Sequence, residues 1–155
     1  MIAVQLRDVA AMRVATFSYV GAPEGVGEAF ETLERWVKER GLFAAGPLVA
    51  RYPELATAPA AGTVRAELMI PLTRLPQAAD GVCCERVPTF RAACVMFDGA
   101  MDARFRQSHE ELFAWVDAAG LTRAGTAHDH AYIRTGRGLG HWTVEIRVPV
   151  LERTP

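Results

Sequence analysis

The chain has 155 residues, 50% of them hydrophobic and 23% charged, the proportions of a globular domain and not of a disordered or collagen-like chain. Seventeen basic against eighteen acidic residues leave a net charge of −1, which argues against a surface built to neutralise many nucleic-acid phosphates. The three cysteines form no Cys-x-x-Cys pair, residues Met1 to Asp8 carry no signal-peptide pattern, and no run of 18 apolar residues exists, so the expectation is a cytoplasmic protein outside the membrane.

In chain order, Met12 to Val20 reads as a strand. Val26, Phe30, Leu33 and Val37 then recur at helical spacing, with Pro23 suited to the first turn and Gly41 to the left-handed stop. Pro47 to Tyr52 and Val64 to Leu72 read as two further strands. The order then repeats: a strand from Thr89 to Phe97, and a helix carrying Phe105, His109, Leu112 and Val116, opened by Asp102 and closed by Gly120. Strands from Ala131 to Thr135 and from Trp142 to Val150 complete the second series.

The repetition is literal in places. Trp36-Val37-Lys38-Glu39-Arg40-Gly41-Leu42 returns as Trp115-Val116-Asp117-Ala118-Ala119-Gly120-Leu121, and Glu67-Leu68-Met69-Ile70-Pro71-Leu72 as Glu145-Ile146-Arg147-Val148-Pro149-Val150. The expectation is therefore one α+β domain over residues 1–155, made of two pseudo-symmetric β-α-β-β repeats (about 1–78 and 79–155). These should form an antiparallel sheet with both helices on one side and a groove between the repeats on the other.

Strand alternation assigns faces. Val144, Ile146, Val148 and Val150, like Leu68, Ile70 and Leu72, should pack under the helices, which sends Glu145, Glu67 and Met69 to the helix-free side. By the same parity Trp142 faces away from Glu145, and both reach one groove only if Trp142 sits at a bent strand entry.

Two Gly-Leu-ended helices, each followed by a strand with an acidic residue before an aliphatic-Pro-aliphatic ending, resemble the GyrI-like small-molecule-binding domain. The resemblance covers nearly the whole chain. It implies a binder of amphipathic, cationic or aromatic small molecules between the repeats, with Glu145 as the groove acid. It also implies two alternatives: hydrolysis of electrophilic cyclopropane-type compounds with Glu145 as general base, and a protein-interaction module acting on DNA gyrase. In that family the domain is often fused behind a DNA-binding helix-turn-helix. A first repeat that begins near Ile2 leaves no room for one here, so no direct nucleic-acid partner is expected.

Aromatic faces suit planar ligands, so Tyr19, Tyr52, Tyr132, Trp142 and Phe17 join Glu145, Glu67 and Met69 as candidate ligand contacts. An unpaired Glu145 in such a groove would have a raised pKa. His128-Asp129-His130 with His141 has a metal-like spacing. Read as a loop without a third ligand at a diagnostic distance, it predicts no metal, and no cofactor is expected. His109 reads as a boundary residue on the apolar helix face. Gly136 to Gly140 reads as a hairpin at the groove rim, and Glu54 to Gly62 as a connection.

Overall fold

The computed structural model describes residues 3–53, 62–100, 103–133 and 142–151. The expected features at Asp102, residues 54–61, Gly136 to Gly140 and His141 lie outside them.

The described elements, in order, are β1 (Gln5–Val9), β2 (Met12–Gly21), α1 (Val26–Glu39), β3 (Leu48–Tyr52), β4 (Val64–Leu72), β5 (Cys83–Val87), β6 (Phe90–Gly99), α2 (Ala103–Ala118), β7 (His128–Ile133) and β8 (Trp142–Pro149). They form one antiparallel eight-stranded sheet ordered β1-β6-β8-β7-β3-β4-β2-β5, with two helices, so the α+β expectation holds. No helix among the described residues is long and apolar enough to cross a membrane.

Each repeat carries one strand more than the sequence reading gave it: the unit is β-β-α-β-β. The leading strands are exchanged, β1 pairing with β6 of the other half and β5 with β2. Both are short and lie at sheet edges, where residues such as Arg7, Asp8, Glu85 and Arg86 blur the apolar alternation. Only Ala10 and Ala11 separate β1 from β2, although these strands lie near opposite ends of the sheet order. A link of that length spans roughly 10 Å, so the sheet must curl until its ends approach.

The two halves meet where β3 pairs with β7, in the register Leu48↔Tyr132, Ala50↔His130 and Tyr52↔His128. This register centres on the Ala50–His130 pair.

Both helices cover the same face. Val26, Ala29, Phe30, Leu33, Trp36 and Val37 of α1 are buried, and they pack on Ala15, Ala50, Ala66, Leu68, Ile70 and Leu72. Leu112 and Val116 of α2 pack on Ala93, Val95, Phe97, Val144, Ile146 and Val148. Fully burying an aliphatic side chain such as Leu33 or Leu112 contributes about 1.5–3 kcal/mol, before conformational entropy is set against it. Each helix ends where the sequence predicts. Gly41 and Gly120 have φ of 70° and 69°, and the amides of Leu42 and Leu121 return to the carbonyls of Val37 and Val116.

The helix-free face is the concave one, and much of it is filled. Val14, Val49, Met69, Val87 and Ala131 form a small core there, with Met12 and Phe90 against it. Phe90 lies 5.6 Å from the Arg51 guanidinium, a contact from the start of β6 to the middle of the sheet.

Candidate functional site

The seam between α1 and α2 on the helix-bearing face is floored by β3 and β7. Strand parity aims Leu48, Ala50 and Tyr52, with His128, His130 and Tyr132, into it. Ala50, at the centre of the floor, is fully buried and packs in the core under α1.

Rings converge on this floor from both repeats. Tyr52 stacks on His128, with centroids 5.3 Å apart and planes 19° from parallel, and lies 4.8 Å from His130. Tyr132 meets Phe30 of α1 edge-on at 5.8 Å and Trp142 at 6.1 Å. From α2, Phe105 stands over His130 at 5.1 Å, and His109 over the same ring at 4.8 Å. Tyr52, Tyr132, Phe105, His109 and Phe113 are half-buried and Trp142 is 46% exposed, so ring faces remain within reach of solvent.

The titratable rings of the seam are uncharged at neutral pH, and the Arg123 guanidinium borders them over Phe113 at 4.3 Å. Burial lowers the pKa of His109, while burial, with His109 and Arg123 nearby, lowers that of His128 to about 4. His130 is lowered well below its usual range by burial and by its two histidine neighbours. Burial pushes the Tyr52 and Tyr132 phenols up. At neutral pH the seam therefore presents uncharged imidazoles and phenols.

The sequence-derived residues fall on two faces. Tyr52, Tyr132 and Trp142 come together in the seam. Phe17 and Tyr19 share that side but belong to the core under α1. The Tyr19 hydroxyl donates to the Ala22 carbonyl at 2.6 Å and rests on Gly25, where any side chain would collide with it.

Glu145, Glu67 and Met69 lie on the concave face. Met69 is 1% exposed in the small core. Glu67 accepts a hydrogen bond from Ser18 at 2.7 Å and borders a cleft of about 390 Å³ with Val20, Arg51, Pro53 and Arg65. Glu145 is not unpaired: Arg147 donates to it at 2.6 Å and Arg7 reaches the same oxygen. The expected rise in its pKa is therefore corrected. Burial pushes the value up, but the two guanidiniums outweigh burial and hold Glu145 below the usual carboxylate range. A second ion pair on this face joins Arg51 to both oxygens of fully buried Asp129, at 2.8 and 3.0 Å.

Comparison with solved structures fixes the fold. The EcmrR C-terminal domain superposes with a TM-score of 0.86 over 99% of both chains at 16% identity. In the EcmrR–DNA complex the match covers 57% of that longer chain, with a TM-score of 0.81 at 16% identity and 96% of this chain. It has the GyrI-like fold. Other chains with this fold include a hydrolase encoded by lin2189 from Listeria innocua (TM-score 0.70, 13% identity, 96% of this chain and 91% of that one). SAV2435 bound to tetraphenylphosphonium is another (TM-score 0.57, 14% identity, 97% and 94%). No protein-family model and no curated protein matches the sequence.

Within this GyrI-like fold the sequence reading missed the histidines. His128–Ile133 is a strand and not a loop, so His128 and His130 share one face. Their third partner, His109, comes from α2, 21 residues before His130. The available signal was a histidine at an apolar position of an amphipathic helix, together with the alternation of His-x-His.

Proposed function

We propose that this protein binds aromatic, amphipathic small molecules in the seam between its repeats, as a single domain that senses or sequesters them. The observation that carries this reading is the convergence of Tyr52, Tyr132 and Trp142, from both repeats, on the strands between the helices. Sites for small organic ligands are mostly apolar and aromatic, with a few polar groups that orient the ligand, and the seam has that composition. The tetraphenylphosphonium bound to a protein of the same fold supports small-molecule binding in general. Lipophilic cations are accepted through the ring faces. Glu145 lies on the other face and its charge is already compensated by Arg7 and Arg147.

The test is a calorimetric and fluorescence titration with tetraphenylphosphonium, planar cationic dyes and neutral analogues of the same shape. Electrophilic cyclopropane-bearing compounds are followed for product in parallel. Trp142→Ala should weaken the aromatic ligands about 5- to 30-fold, since one ring contact contributes roughly 1–2 kcal/mol. Glu145→Gln should leave their affinity unchanged. Cation binding that disappears in Glu145→Gln and survives Trp142→Ala and Tyr132→Ala would move the site to the concave face.

A further inference from the structure

We infer that His109, His128 and His130 form a binding site for a divalent transition-metal ion of the zinc class, with a fourth position left for water or for a donor atom of a bound molecule. The inference rests on the three rings alone and holds whether or not the seam takes an organic ligand.

The placement follows from local geometry. Residues i and i+2 of β7 put His128 and His130 on one face, and α2 lays His109 over them. One nitrogen from each ring then lies within 4.8 Å of the others. Three imidazoles at this separation can close around an ion at the usual Zn–N distance of about 2.0–2.1 Å with small side-chain rotations.

The hydrogen bonds around the rings prepare the donors. His109 Nδ1 lies 2.8 Å from the Phe105 carbonyl, which can only accept, so Nδ1 carries the proton and the Nε2 lone pair points inward. That is the outer contact by which metal-ligating histidines are oriented. His109 Nε2 in turn lies 2.6 Å from His130 Nε2. One proton between these two nitrogens satisfies both, yet it does nothing for His128. Its Nδ1 is buried with no hydrogen-bond partner among the described residues. A buried polar atom left in this way costs about 1–3 kcal/mol. A single ion at the centre would engage all three rings at once.

The surroundings select the class of ion. Three neutral nitrogen donors suit zinc, cobalt, nickel or copper, whereas magnesium and calcium require oxygen ligands. Tyr52, Phe105 and Phe113 wall the rings at centroid distances of 5.3, 4.6 and 6.0 Å, which fixes their orientation and restricts water.

The test uses the full chain after chelator treatment, titrated with Co²⁺ and then Zn²⁺. One Co²⁺ should bind per chain, with the intense visible absorption of a four-coordinate ion, and Zn²⁺ should displace it. His109→Ala, His128→Ala and His130→Ala should each weaken binding by at least about 100-fold, since loss of even an outer-shell partner costs roughly 10- to 100-fold. Far-UV circular dichroism verifies that each variant folds. If a β7 variant does not, His109→Ala on the half-buried helix face decides. Absence of stoichiometric binding at micromolar metal, or binding unaffected by His109→Ala, overturns the inference.

Discussion

Ala50 and His130 are cross-strand partners at the centre of the sheet, where β3 meets β7. There a methyl lies beside an imidazole. Ala50 is fully buried in the core under α1, with the polar ring of His130 beside it. Ala50→Leu should overpack this site, cost about 1–3 kcal/mol, and weaken seam ligands by displacing the neighbouring rings. Ligand titration beside thermal unfolding measures both.

The neutral histidines make stability depend on pH. The folded values lie below the unfolded value of about 6.5, so the unfolded chain binds more protons in the interval below it. Their contribution to stability is fully present above pH 6.5 and is lost as pH falls towards 4, the value for His128. Denaturant unfolding between these limits should show stability declining steadily. His128→Phe should flatten the decline in that window.

Glu145 acts in a lower window. Its folded pKa lies below the unfolded one, so its stabilisation is present above about pH 4.5 and lost as pH falls through the folded value. Glu145→Gln should therefore destabilise the protein at pH 7, by about 1–3 kcal/mol for a charge-assisted pair. The difference between variant and parent should shrink as pH falls through the folded value of Glu145.

The Arg51–Asp129 pair is tested by a double-mutant cycle. Asp129→Ala strands a half-buried guanidinium on the concave face and should cost about 3–5 kcal/mol. Adding Arg51→Met to Asp129→Ala should recover part of that loss, because no unpaired charge is then left. Independent, additive costs in chemical denaturation would show that the two side chains do not depend on each other.

Gly41 offers a purely backbone test. A Cβ there would meet nothing within 4 Å, yet φ is 70°. Gly41→Ala should cost roughly 1–2 kcal/mol through the left-handed conformation alone. Equilibrium unfolding measures it, and a neutral outcome would mean that the α1 terminus rearranges.

Much of this molecule is legible in the sequence because its signals are local. Repeated Trp-Val and Gly-Leu endings, helical spacing from Val26 to Val37 and alternation from Val144 to Val150 each depend on a few neighbouring residues, and each gave the right element and the right face. What the sequence left undetermined depends on strands far apart in the chain. The exchange of β1 and β5 between repeats follows from sheet curl, which no alternation pattern of five residues encodes. The pairing of Glu145 with Arg7 joins residues 138 positions apart. Sequence parity had sent Glu145 and Trp142 to opposite faces, and the fold keeps them there: the acid meets its arginines on the concave side while the rings gather under the helices. His109 meets His130 only because α2 packs across β7. An amphipathic helix specifies that it will bury one face, and tertiary packing alone decides which side chains that face will meet.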